Sequence, residues 1–331
     1  MTDPIGRLSP VVRLAPAKLN LTLAVVGRRD DGYHTLHSVF VPLSLADRLS
    51  LAPLGGHRDT LHVTGLDAGP PRDNLVFRAL AEARAAVGGG WPGGPGPAPA
   101  LAVRLDKRIP VAAGLAGGSS DAAATVDGAL EAWGAELDDR ARLVMAARLG
   151  SDVPFFLAGG PALVEGRGEQ VAPLHGLHGS PGVLLVTPGI AVPTPDVFAA
   201  FDAIRSHGDG AVRMSSAHLA EELRAGLTVA NLVARAGVLA SANDLLPATS
   251  LVVPALVPFK RALSRLLQRP IGLSGSGPTL WALYPSETEA AEAAEIVRTA
   301  LAAGGLTAPG SSQPFVCATA IVGHSQQERE S

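Results

Sequence analysis

Pro110-Val111-Ala112-Ala113-Gly114-Leu115-Ala116-Gly117-Gly118-Ser119-Ser120-Asp121-Ala122-Ala123-Ala124 is the most informative stretch of this 331-residue chain. Gly114, Gly117 and Gly118 can adopt positive φ and let the backbone approach a ligand with no Cβ in the way. Ser119, Ser120 and Asp121 start helices well, and a helix N-terminus points unpaired N–H groups and partial positive charge outward. Glycines ahead of such a start make an anion site suited to phosphate. On the glycines alone, a tight strand-to-helix connection without a ligand is the alternative. The spacing is not that of a P-loop, since no Gly-x4-Gly-Lys-[Ser/Thr] occurs in the chain. Nor does the Gly-x-Gly-x-x-Gly dinucleotide spacing fit.

Upstream, Leu101, Val103 and Leu105 alternate with Arg104, Asp106 and Arg108, predicting a strand with its apolar side inward. Downstream, Ala122, Ala123, Val126, Leu130 and Trp133 recur at helical spacing, predicting a helix from about Ser119 to Trp133. Another is expected over Asp138 to Leu149. Nearer the N-terminus, Leu19, Leu21, Leu23 and Val25 alternate with Lys18, Asn20, Thr22 and Ala24, the pattern of a half-buried strand with a polar face. Asp30-Asp31-Gly32 supplies a turn. A helix starts near Asp73 or Asn74 and runs to Val87. Gly88 to Pro99 is almost all Gly, Pro and Ala and reads as a disordered surface insertion. Past about residue 170 come a strand at Val183 to Val186, helices over much of 196–238 and 255–268, an amphipathic helix from Thr288 to Ala303 and a closing strand from Val316 to Val322. Strands and helices interleave without the regular alternation of a doubly wound sheet, so the expected class is α+β in two domains.

Composition narrows the function classes. Hydrophobic residues make up 47% of the chain, enough for a sizeable core, while aromatics are only 4% and leave that core to Ala, Val and Leu. The net charge of −3 gives no general attraction to a phosphate backbone, so no nucleic-acid partner is expected. No run approaches the roughly 18 apolar residues of a membrane span, and no secretory signal is legible, so a cytoplasmic location without a membrane partner is expected. Cys317, the single cysteine, excludes an intramolecular disulfide and reads as a buried inert thiol. His57, His62, His175 and His178 lack a metal-ligand spacing and read as surface residues.

Pro-x3-Gly-Leu followed by Gly-Gly-Ser-Ser and an Ala-rich helix resembles the ATP-phosphate motif of the GHMP kinases. Three further segments resemble one family within them, the diphosphocytidyl-methylerythritol kinases. These are Ala15-Pro16-Ala17-Lys18-Leu19-Asn20-Leu21 with Gly32-Tyr33-His34, then Gly150-Ser151-Asp152-Val153-Pro154-Phe155, then Leu273-Ser274-Gly275-Ser276-Gly277-Pro278-Thr279. Asn243-Asp244-Leu245 and Pro193-Thr194-Pro195 also fit, and the matches come in family order over about residues 13 to 282. The resemblance implies a ribosomal-protein-S5-like N-terminal domain (1–170), a ferredoxin-like C-terminal domain (171–325), an active site between them and a polar tail (326–331). It further implies ATP-dependent phosphorylation of the 2-hydroxyl of 4-diphosphocytidyl-2-C-methyl-D-erythritol, a step of the non-mevalonate isoprenoid pathway. The partner so implied is a small cytidine diphosphate derivative. Another GHMP kinase, acting on mevalonate, homoserine or a sugar, and an inactive nucleotide-binding protein on the same scaffold are the alternatives.

Carried over residue by residue, the resemblance makes Asp152 the carboxylate that takes the hydroxyl proton; by itself it could equally cap a helix begun by Pro154. Lys18 becomes the cation beside it, although a lysine at a strand start is ordinarily solvated. Pro110, Gly114, Leu115, Gly117, Gly118, Ser119 and Ser120 form the ATP-phosphate cradle. Asn20, two residues on along the same strand face, bonds the substrate or Asp152, with an ordinary polar strand residue as the alternative. Tyr33 stacks on the cytosine, His34 bonds its edge, and Phe198, otherwise a core residue of a helix, covers the other face. Ser274 and Gly275, with Ser276 and Gly277, border the same cleft. Mg²⁺ is expected with the ATP, and no protein ligand for it can be named; Asp121 complicates that question.

Overall fold

The strand over Leu101–Lys107 forms as its alternation requires, and its apolar side chains are buried. The structure, a computed structural model, describes residues 10–54, 56, 58–88, 96–204 and 210–323. Packing sorts the described residues into two units, each discontinuous in sequence. The first takes Met1–Ala17, Leu45–Val111 and Ala116–Leu157, the second Lys18–Ser44, Ala112–Leu115 and Ala158–Ser331. A cut near residue 170 follows chain order, whereas packing interleaves the segments.

In the first unit, Leu101–Lys107 pairs antiparallel with the Arg48–Pro53 end of the long strand His34–Pro53 and parallel with Thr60–Gly65. Helices Leu75–Val87, Gly117–Trp133 and Asp139–Leu149 contribute to one core with these strands, through Leu80, Ala122, Ala129, Trp133 and Leu149 among others. Asn74 caps the first of these helices, its side chain accepting from Val76 N at 3.0 Å, and Asp138 caps the third. The alanines of Gly117–Trp133 let that helix approach its neighbours closely.

In the second unit, the other end of the long strand pairs with Ala24–Arg28 across the Asp30–Gly32 turn and with Ala162–Gly166, which in turn pairs with Gln170–Pro173. A separate antiparallel sheet has the order Gly272–Leu273, Leu280–Tyr284, Gly182–Gly189, Ser312–Ala320. Helix Glu287–Ala302 buries Ala290, Ala293, Ala294 and Val297 in its core. The class is α+β, as expected.

Three expectations need correction. Lys18 to Val25 is not half-buried: Lys18, Asn20, Thr22 and Ala24 are as buried as the leucines, because both faces of this segment are covered. The strand itself spans Val11–Asn20 and stops there, with a second strand from Ala24. The Gly/Pro tract is not a disordered insertion throughout. Residues 89–95 lie outside the described residues, but Ala98 is buried. The carbonyls of Ala98 and Pro99 accept from Arg84, and that of Pro99 also accepts from Trp133 Nε1 at 3.1 Å. Cys317 is half-buried rather than buried, although its surroundings still push the thiol pKa up by desolvation. His62, His175 and His178 are exposed; His57 and the polar tail lie outside the described residues.

Candidate active site

Gly117 and Gly118 were expected to precede a helix, in a loop free to adopt positive φ. They are instead its first two residues, in Gly117–Trp133, and only Gly114 of the three glycines has positive φ, at 77°. The left-handed turns fall on Ala112 and Ala116, both at φ 54°. Space explains Gly117: a Cβ there would come within 3.0 Å of Lys107 Nζ and 2.9 Å of Ile109 Cγ2. Gly118 is different, because a Cβ would meet only Leu75 Cδ1 at 3.9 Å. Its exposed backbone leaves the helix N-terminus accessible to an anion. Ser119 and Ser120 follow in the same turn; Ser120 Oγ is buried without a hydrogen-bond partner. A Cβ on Gly150 would stand 3.8 Å from Ser119 Oγ, so the Gly150-Ser151-Asp152 segment lies beside this turn. Asp152 immediately precedes helix Val153–Ala158, with Pro154 at its second position.

Beneath the loop lies a charge cluster that the sequence reading missed. Lys107 Nζ donates to Asp47 Oδ2 and, at 2.7 Å, to Asp121 Oδ2, all three residues being almost fully buried. Asp47 Oδ1 also accepts from the backbone N–H groups of Arg108 and of Ile109, the latter at 2.8 Å. The cluster therefore ties the strand end and the loop entry to the first turns of the helix. Burial pushes the Asp121 carboxyl up to about 7, with Asp47 acting in the same direction and Lys107 against it. A signal existed: Lys107 continues the inward register of Leu101, Val103 and Leu105, and Asp47 that of Leu49 and Leu51. A charge on an inward register asks for a partner.

In the second unit, the turn Ala112–Leu115 meets the C-terminal glycine loop. Ser274 Oγ donates to Gly114 O at 2.9 Å, and Thr279 N to Ala113 O at 3.4 Å. A Cβ on Gly114 would collide with the carbonyl of Ser274, so this glycine is required twice over, by its φ and by that approach. Leu115 is fully buried and its carbonyl accepts from Lys18 N at 3.0 Å. Pro110 belongs to the first unit, at the strand exit.

Lys18 sits at this junction, 4% exposed. Its Nζ donates to Asn20 Oδ1 at 2.7 Å and to Gly114 O at 3.0 Å, and lies 4.7 Å from the Phe40 ring centre. Asn20 Nδ2 donates to Ser38 Oγ at 3.0 Å, so the amide that faces the lysine is itself oriented. A Cβ on Gly275 would be 3.7 Å from Lys18 Nζ and 3.4 Å from Asn20 Oδ1. Asn243 holds that loop: its Nδ2 donates to Leu273 O at 3.0 Å and Gly275 O at 2.9 Å. Thr194 and Ser276 share a hydrogen bond at 2.9 Å, which joins the Pro193-Thr194-Pro195 segment to the loop.

The aromatic group is assembled in the same unit. His34 stacks on Phe198 with ring centres 4.8 Å apart and planes at 21°, and Phe201 meets it edge-on at 6.0 Å. His34 Nε2 is 2.7 Å from Asp202 Oδ1. Tyr33 stands 52% exposed with the Arg167 guanidinium 5.2 Å from its ring centre. Thus Phe198 is paired with His34 here, and Tyr33 with Arg167. Among the described residues no group of three His, Cys, Asp or Glu side chains is placed to hold a metal ion, and Asp121 is taken up by Lys107.

The GHMP kinases N terminal domain matches residues 74–160, which contain the phosphate loop and Asp152. The 4-diphosphocytidyl-2-C-methyl-D-erythritol kinase of Pelotomaculum thermopropionicum is 38% identical over 275 residues, covering 82% of this chain and 88% of that protein. The Nocardia farcinica enzyme of the same name is 39% identical over 306 residues, covering 90% and 91%. A crystal structure of 4-(cytidine 5'-diphospho)-2C-methyl-D-erythritol kinase superposes with a TM-score of 0.68 at 32% identity, over 94% of this chain and 100% of that one. Identity at this level, over nearly the whole length and with the glycine loops in place, means that the chain belongs to the 4-diphosphocytidyl-2-C-methyl-D-erythritol kinase family of the GHMP kinases.

Proposed function

We propose that this protein transfers the γ-phosphoryl group of ATP to the 2-hydroxyl of 4-diphosphocytidyl-2-C-methyl-D-erythritol, a step towards isoprenoid precursors by the non-mevalonate route. The observation that carries this reading is the identity of 38–39% to kinases of that name across 82–90% of the chain. The local chemistry is consistent with it. Phosphoryl transfer asks a protein mainly for positioning and for stabilisation of charge on the equatorial oxygens. The accessible N-terminus of helix Gly117–Trp133, with Gly118, Ser119 and Ser120, offers N–H donors to the ATP phosphates.

In this reading Asp152 accepts the proton as the hydroxyl oxygen attacks the γ-phosphorus and the bond to the bridging oxygen breaks, leaving ADP. Lys18, oriented by Asn20 and Gly114 O, supplies positive charge where negative charge develops. Tyr33, His34 and Phe198 hold the cytosine, and Ser274 and Gly275 shape the wall beside Lys18. Mg²⁺, bound with the nucleotide, would offset the charge of its phosphates, and no protein side chain is named as its ligand. The division into residues 1–170 and 171–325 describes the two family domains in chain order. No helix of the described residues is long and apolar enough to cross a membrane.

The test is mass spectrometry of purified protein with Mg-ATP and the cytidine substrate, run beside mevalonate, homoserine and galactose. One added phosphoryl group on the cytidine compound alone is expected; phosphorylation of a different acceptor instead would overturn the substrate assignment. Asp152→Asn is expected to lower kcat by roughly 10²–10⁴ with little change in either KM, the scale of general-base catalysis. Near-normal turnover would remove Asp152 from that role.

A further inference from the structure

Helix Thr194–Ala203 carries Phe198 and Asp202 four residues apart, so both emerge on one face. That face meets a single imidazole: Phe198 stacks on the His34 ring at 4.8 Å, and Asp202 Oδ1 lies 2.7 Å from its Nε2. The other carboxylate oxygen, Oδ2, is 3.2 Å from Arg28 NH1, on the strand paired with His34. The carboxylate is therefore gripped from both sides, while the His34 side chain is only 8% exposed.

A carboxylate can only accept a hydrogen bond, so in a neutral imidazole this contact puts the ring proton on Nε2 and leaves Nδ1 as an acceptor. A base bonded edge-on to Nδ1 lies in the imidazole plane, nearly parallel to the Phe198 ring. An acceptor suits the exocyclic amino group of cytosine, whereas uracil presents an oxygen at the same position. We propose that Asp202 is a positioning residue that fixes the His34 tautomer and so makes the pocket select amino-bearing over oxo-bearing pyrimidines. This rests on the reading that Tyr33, His34 and Phe198 hold the base. It assigns the discrimination to a residue that need not touch the base.

Two measurements test it. Nitrogen-15 NMR of the histidine rings in the full chain reads the tautomer without any nucleotide, and Nε2–H is expected for His34 in the wild type and a mixture in Asp202→Ala. Competition of CMP and UMP against the cytidine substrate gives the selectivity. The wild type is expected to bind CMP at least about 10-fold more tightly than UMP, the scale of one mismatched hydrogen bond. Asp202→Ala should bring that ratio close to one while sparing KM for ATP, and Asp202→Glu should restore part of it. A merely structural Asp202 would weaken both nucleotides together and keep their ratio, which would overturn the proposal. So would Nδ1–H in the wild type, even if the cytidine substrate is phosphorylated. A wild type that phosphorylates no cytidine compound would instead sink the reading on which the inference stands.

Discussion

Two buried lysines lie beside the glycine loops, one in each unit, and each fastens different segments. Lys107, in the first unit, is held by the carboxylates of Asp47 and Asp121. Lys18, in the second, is positioned by an amide oxygen, a peptide carbonyl and an aromatic face. The contacts around Lys107 neutralise its charge and cross-link a strand end to a helix start. Those with Asn20 and Gly114 orient the Lys18 ammonium. Burial alone therefore does not mark a lysine as functional, since Lys107 is buried as a cross-link between strand and helix.

The comparison can be broken experimentally. The largest effect is expected from Lys18→Met, which should lower kcat by roughly 10²–10⁴, as loss of a group acting on developing charge does. Leaving Asn20 Oδ1 and the Gly114 carbonyl without this donor should cost about 1–3 kcal/mol in stability. Lys107→Met should reverse the balance: leaving two buried carboxylates uncompensated should cost about 3–5 kcal/mol in urea unfolding. If Lys107→Met proved the milder of the two in stability, the scaffold role assigned to it would fail.

A finer probe is the excess negative charge of the Lys107 cluster. The folded pKa of Asp121 is raised from 3.8 to about 7, so the folded protein holds this proton where the unfolded chain has released it. The stability this contributes is complete below about pH 4 and is lost as pH rises through about 7. The stability of the wild type minus that of Asp121→Asn should therefore fall across that window and flatten above it, in paired urea titrations. A flat difference would show that the carboxyl is already ionised at low pH. The smallest effect is expected from Asn20→Ala, which frees Lys18 from one of its anchors; kcat should drop by about 10-fold, the scale of one net hydrogen bond. A loss as large as that of Lys18→Met would give Asn20 a direct part in the chemistry.

Local pattern reached far into this molecule, and its failures are specific. The strand at Leu101–Lys107 and the helices capped by Asn74 and Asp138 followed from alternation, spacing and capping. The segment from Lys18 to Val25 was misjudged because alternation of polar and apolar residues does not reveal that the polar face is also covered. Gly117 and Gly118 were assigned to a loop because Ser119, Ser120 and Asp121 read as the helix start. At Gly117 close approach of Ile109 and Lys107 leaves no room for a side chain. Lys107 and Asp47 were legible in principle, as charges on inward registers, but their pairing joins residues 60 apart in sequence.

By itself, the sequence determined the family, the order of its glycine loops and the α+β class, because these depend on residue types at short spacing. Tertiary structure alone decided that Lys107 meets two carboxylates, that the Gly114 carbonyl anchors Lys18 across 96 residues, and that His34 lies between Phe198 and Asp202, the latter 168 residues away. The physical reason is that charge, tautomer and orientation are set by whatever surrounds a group in space. In this chain those surroundings come from segments that only folding brings together.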